Sequence, residues 1–226
     1  MIRVYGSPIT RAQRTMWMLE ELGLPYEQIP AGVPSKLGEL ATREEIVALN
    51  PSGKVPVLVD GDVVLTESYA INLYLARKYE SDLTPRTDVE WAKAWQWTLW
   101  MATEIENDLQ RVLVPRRSGL LDKMTDAQRK EDELVMWGLR ERLKTLDVAA
   151  KSSEWLVGHR FTVADLNVAS MLALGPPSGV DLGSVPNASA WLDRCLARPA
   201  ARSAWGKVIE DAQQFGFVGD LEIAQS

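Results

Sequence analysis

The hydrophobic period of the chain changes once, near residue 80, and that change limits the architecture more than any other feature of the sequence. Upstream, short apolar runs alternate with helix-like segments; downstream, every apolar repeat has helical spacing. Val4-Tyr5 leads into the turn residues Gly6-Ser7-Pro8. Met16, Trp17, Met18, Leu19 and Leu22 then recur as in a buried helix, which Gly23 closes. Tyr26 to Ile29 reads as a second strand, and Thr42-Arg43-Glu44-Glu45 has the form of a capping box opening a helix to Leu49. Val55 to Val59, the two residues Asp60-Gly61, and Val63 to Leu65 read as an antiparallel pair with a tight turn. Thr66-Glu67-Ser68 opens a further helix to about Tyr79. The expected order is β-α-β-α-β-β-α over residues 1–80.

The polar stretch Glu80 to Pro85 reads as a linker, and residues 87–226 as an all-helical domain. Trp91, Ala94, Trp95 and Leu99 repeat at helical spacing, as do Leu134, Val135, Leu139, Leu143 and Leu146, and shorter helices surround Trp191 and Trp205. Pro176-Pro177-Ser178-Gly179 and Pro199 interrupt them. Thr162-Val163-Ala164-Asp165 has capping-box form, a structural role.

Charge and rare residues exclude several kinds of function. A formal charge of -6, from 25 basic and 31 acidic residues, gives no broad footprint for nucleic acid or anionic membrane. The Arg116-Arg117 pair is too short a basic run to bind nucleic acid. One cysteine, Cys195, and one histidine, His159, leave no cysteine cage and no paired histidine ligands, so no metal is expected. No secretory leader or run of about 20 apolar residues is legible, and a cytoplasmic protein is expected.

With its proline at the start of the third strand, the first unit resembles a thioredoxin-like domain, and the whole chain resembles the cytosolic glutathione S-transferases. The matching segments are Arg11 to Arg14 with Trp17 to Glu27, Asn50-Pro51-Ser52-Gly53-Lys54-Val55-Pro56-Val57-Leu58, Glu67-Ser68-Tyr69-Ala70-Ile71 with Tyr74-Leu75, and Phe161 to Asp165. The fold so implied is an α/β thioredoxin-like domain followed by an all-α helical bundle. The resemblance implies glutathione as co-substrate, a small apolar electrophile as its acceptor, and a homodimer pairing the first domain of one chain with the helical domain of another.

It also implies a cis Val55–Pro56 bond that leaves the Val55 N–H and C=O to pair with the cysteinyl backbone of the tripeptide; the plainer reading is a proline at a strand start. Glu67 and Ser68 stand where a strand ends and a helix begins, suiting the ammonium and carboxylate of a γ-glutamyl group, although a simple helix start explains them too. Lys54 could add a charge for the glycyl carboxylate, although a solvated loop lysine is the plainer reading of that residue alone. Three hydroxyls near the first strand-to-helix turn could hold the thiolate. Thr10, beside the helix start, is preferred, with Ser7 second and Tyr5 third. Most of the tryptophans read as core, but the resemblance puts Trp97, Trp100, Met101 and Glu104 on the helix that lines the electrophile's pocket. Two other readings stay open: disulfide or peroxide reduction through two bound glutathiones, and a non-catalytic ligand carrier or assembly module.

Overall fold

In the computed structural model, which describes residues 1–32 and 41–214, the first unit comprises Met1–Thr84 and takes in one helix from the far end of the chain. Its elements follow the order β1 (Ile2–Tyr5), α1 (Ala12–Glu21), β2 (Tyr26–Ile29), α2 (Arg43–Leu49), β3 (Val57–Asp60), β4 (Val63–Thr66) and α3 (Ser68–Lys78). Among the described residues the sheet runs β2-β1-β3-β4, with β1 parallel to β2 and antiparallel to β3. Buried on both faces, β3 reads as a continuous apolar run rather than an alternation. The core joins Val4 and Leu58 of the sheet to Trp17 and Leu19 of α1 and Ile71 and Leu75 of α3. The capping box at α2 forms as its sequence predicts: Glu45 N–H donates to Thr42 Oγ1, and Thr42 N–H to the Glu45 carboxylate.

The hairpin turn lies one residue later than expected. Asp60 pairs with Val63 in the ladder, so the turn residues are Gly61 and Asp62, with Gly61 at φ +62°. Asp60 stays in the strand, where α3 and the residue that ends it supply its partners, Lys78 Nζ at 2.8 Å, Tyr79 Oη at 2.9 Å and Tyr74 Oη at 3.1 Å. Burial works against its ionisation, but these donors outweigh it and hold the carboxyl below its ordinary value.

Pro85–Ala197 forms the second unit. It contains α4 (Asp88–Trp100), a π-helical turn (Met101–Ile105), α5 (Glu106–Arg117), α6 (Asp126–Ser152), α7 (Val163–Leu172) and α8 (Pro186–Leu196). Every residue of α7 is buried, so it forms the axis of this unit. Its start is the predicted capping box of Thr162 and Asp165. Leu139, Leu143 and Leu146 of α6 are buried, whereas Leu134 is exposed, a departure from the expected stripe.

The last helix, α9 (Pro199–Gln214), packs in the first unit against α1 and not in the helical domain to which the sequence assigned it. Ala201, Ala204, Trp205, Val208 and Ala212 are its buried residues, spaced to form one helical face. Glu21 at the end of α1 accepts two 2.7 Å bonds from Arg198, and Glu20 pairs with Lys207. Pro199 therefore starts a helix, as proline does at a first helical position, instead of only ending one. Residues 215–226 of the expected helical domain lie outside the described residues.

Candidate functional site

The loop between β1 and α1 carries the hydroxyl candidates. Ser7 N–H donates to Ala31 O at 3.0 Å, and Thr10 N–H returns to Ser7 O at 2.9 Å, closing a turn. Thr10 Oγ1 donates to the same Ser7 carbonyl at 2.6 Å and accepts from Ala12 N–H at 3.2 Å, which ties it to the first residue of α1, although the N-cap position itself is Arg11. Because Thr10 N–H already satisfies that carbonyl, the hydroxyl can swing to another acceptor without leaving the oxygen unpaired. Ser7 is 2% exposed. Tyr5 stays in the ladder opposite Val57 and Ile29.

Two glycines bring this loop against Val55. A Cβ on Gly6, at φ +144°, would lie 2.6 Å from Ala12 Cβ and 3.4 Å from both Thr10 Oγ1 and Val55 Cβ. Only glycine fits, and the Thr10 hydroxyl and Val55 flank one small gap. A Cβ on Gly32, at φ +85°, would strike the Val55 side chain. The Val55–Pro56 peptide is cis, as the resemblance implied. Val55 lies outside the paired residues of β3, and no hydrogen bond to its N–H or C=O occurs among the described residues. Asn50 Nδ2 donates to Lys54 O at 2.8 Å, which fixes the approach to this edge, while the Lys54 side chain is exposed.

Glu67 and Ser68 differ sharply although adjacent. Glu67 is exposed at φ +65°, a left-handed conformation uncommon for a residue with a side chain, and one that tends to persist where function needs it. Ser68 is buried, and its Oγ accepts from Arg14 Nη1 at 3.2 Å. The Arg14 guanidinium also lies 4.5 Å from the centre of the Tyr69 ring, and Asn72 Nδ2 donates to Arg14 O at 3.3 Å. A buried cation thus stands behind the start of α3, favouring an anion there. The sequence offered Arg14 as part of a matching segment but gave no sign that it reaches Ser68; that contact spans 54 positions.

The four residues expected at an electrophile pocket sit on the α4 and π-helical stretch of the second unit. Trp97 and Trp100 are half-buried and pack edge to face, with centroids 5.3 Å apart at 84°. Met101 has 0% exposure, so it is core and not an open lining. Glu104 is exposed on the π-helical turn, where Glu106 N–H reaches back to Met101 O. Cys195 is buried on α8, and among the described residues no group of acidic, His or Cys side chains could hold a metal ion. No helix among the described residues is long and apolar enough to cross a membrane.

The first unit offers a Val55 N–H and C=O without hydrogen bonds among the described residues, a hydroxyl just before a helix start that shares a neighbour, Gly6, with the Val55 side chain, and an acidic residue next to a cation-backed helix start. Residues 10–78 match the family model described as glutathione S-transferase, N-terminal domain, and residues 103–199 match glutathione S-transferase, C-terminal domain. The first match includes Thr10, Lys54, Val55, Pro56, Glu67 and Ser68 but begins after Ser7. Glutathione S-transferase 3 of Zea mays is 31% identical over 214 residues, 88% of this chain and 90% of that protein. Glutathione S-transferase GstB of Escherichia coli (strain K12) is 30% identical over 209 residues, covering 89% and 96%. Among solved structures, the theta class glutathione S-transferase of Xanthomonas axonopodis pv. citri with glutathione bound superposes with a TM-score of 0.79 at 27% identity, covering 90% of this chain and 96% of that one.

Proposed function

The chain belongs to the glutathione S-transferase family of enzymes, and from that premise we propose that it joins the sulfur of glutathione to small, largely apolar electrophiles. The observation that supports this reading is the close approach at Gly6, where the Thr10 hydroxyl and the Val55 side chain would each lie 3.4 Å from a Gly6 Cβ, together with a Val55 N–H and C=O that have no hydrogen bond among the described residues. In this reading the cysteinyl part of the tripeptide pairs antiparallel with Val55, which brings its sulfur to Thr10. The γ-glutamyl ammonium meets Glu67, its carboxylate meets the N–H groups at the start of α3 in front of Ser68 and Arg14, and Lys54 serves the glycyl carboxylate.

A free thiol titrates near pH 8.5, so lowering its pKa by about two units takes roughly 2.7 kcal/mol of preference for the anion. A hydroxyl donating to a charged sulfur supplies about 1.5–3 kcal/mol, and the start of α1 adds a few tenths to about 1 kcal/mol. Thr10 Oγ1 turns its proton from Ser7 O to the sulfur while still accepting from Ala12 N–H, and the thiol proton leaves to solvent. The sulfur anion then attacks an electron-poor carbon: a C–S bond forms as the leaving group departs with its bonding pair. Trp97, Trp100 and Glu104 are our candidates for contacts to the electrophile, with Met101 as packing beneath them. The working form is a homodimer, in the cytosol, where glutathione is reduced and Cys195 stays a thiol.

Calorimetry with glutathione tests the binding assignment. The combined Glu67→Ala and Ser68→Ala variant should lose at least about tenfold in affinity, and unchanged affinity would remove the γ-glutamyl subsite from α3. Thr10→Ala should keep that affinity while raising the pKa of the bound thiol, read from its thiolate absorbance, by about one unit. If Ser7→Ala moves the titration instead, the donor is Ser7.

A further inference from the structure

The backbone donors of the loop from Gly6 to Thr10 can be accounted for one by one. Gly6 N–H goes to Ile29 O at 2.9 Å, Ser7 N–H to Ala31 O at 3.0 Å and Thr10 N–H to Ser7 O at 2.9 Å. Pro8 has no N–H to place. Ile9 N–H remains, and it donates to Asp211 Oδ2 on α9 at 3.2 Å, across 202 positions of sequence. The other amides are held by β2, the segment just after it and the loop itself; the one next to Thr10 is held by a side chain from the far end of the chain.

The helix that carries Asp211 is anchored separately. Arg198 is paired with Glu21, and Lys207, one turn before Asp211 on the same face, is paired with Glu20 and reaches Tyr26 Oη at 3.1 Å. Asp211 is thus presented from a fixed support. Its carboxylate is also a negative charge beside a site meant to hold a thiolate, so by charge alone it opposes activation. A benefit from this residue must come through the position it gives the loop.

We infer that Asp211 is a positioning residue: by holding the Ile9 amide it fixes where the adjoining Thr10 presents its hydroxyl. This rests on the reading of the glutathione site given above. Charge and position predict opposite signs, which makes the two separable. Removing only the charge lowers the pKa of the bound thiol, whereas releasing the loop raises it.

The test uses the full-length protein as wild type, Asp211→Ala, Asp211→Asn and Thr10→Ala, each saturated with glutathione. Thiolate absorbance is followed against pH, and kcat and the KM for glutathione are measured with chlorodinitrobenzene. Asp211→Ala should raise the thiol pKa by about one unit and lower kcat about tenfold, with the KM for glutathione within about twofold of wild type. Asp211→Asn keeps an oxygen for Ile9 N–H and should hold the wild-type pKa or fall below it. An Asp211→Ala titration that overlays wild type, or one displaced downward together with Asp211→Asn, overturns the inference. If Thr10→Ala shifts the titration while Asp211→Ala does not, only the role of Asp211 fails. If wild type does not bind glutathione, the reading of the site fails and the inference with it.

Discussion

Asp165 shows how one side chain can be set by opposing forces. Its carboxyl is fully enclosed, and burial pushes its pKa up to about 6. Donors from Leu156 N–H at 2.9 Å, Thr162 N–H at 3.0 Å and Trp191 Nε1–H at 3.0 Å pull the other way, and burial prevails. The folded protein therefore holds this proton more firmly than the unfolded chain does. The contribution of Asp165 to stability is greatest below the ordinary carboxyl pKa, falls as pH rises toward about 6, and is level above that. Urea unfolding of wild type and Asp165→Asn across that interval should show the wild-type advantage shrinking by about 3 kcal/mol from acid to neutral pH. A gap that stays constant or widens would contradict the assignment.

At the scale of elements, the pairing of α1 with α9 is what the first unit adds to its sheet. Arg198 meets the end of α1 and Asp211 the loop before its start, so the two helices run antiparallel. The buried acceptor in this contact is Glu21, which takes two bonds from Arg198 and a third from Trp17 Nε1 at 3.0 Å. Glu21→Ala should cost about 2–3 kcal/mol in urea unfolding, and Glu21→Gln, which keeps an acceptor, about half of that. Amide exchange should accelerate in residues 199–214 and stay unchanged in α7. Equal acceleration in both would mean that Glu21 supports the whole fold and not this helix pair.

For the whole molecule, the exposed apolar residues bear on assembly. On α4, Trp95 is 52% exposed and Leu99 61%, four positions apart on one face, and Leu134 and Trp137 are exposed on α6. The Trp95–Leu99 face of α4 suits a symmetric contact with a second copy. Sedimentation at micromolar concentration should give a species of about 50 kDa, twice the 25.2 kDa chain, and Leu99→Glu should shift it toward the single chain. A wild-type boundary at the mass of one chain would argue against the dimer; a Leu99→Glu variant that stays paired would move the contact elsewhere.

What the sequence determined by itself was local. The capping boxes at Thr42 and Thr162, the strand from Tyr26 to Ile29 and the start of α3 at Ser68 depend on neighbours within a few positions, and period, cap and turn chemistry make them legible. Pro56 and the Glu67-Ser68 pair were legible as candidates for the same reason. The one-residue shift of the hairpin turn was not, because Asp60 is kept in the strand by Lys78, Tyr74 and Tyr79. Tertiary structure alone decided that Met101 is core, that Arg14 stands behind Ser68, that α9 returns to α1, and that the amide of Ile9 ends on Asp211. Each is a contact between residues far apart in sequence. Period and spacing report which face of an element is apolar, but not which distant element will cover it or whose charge will meet its free donors.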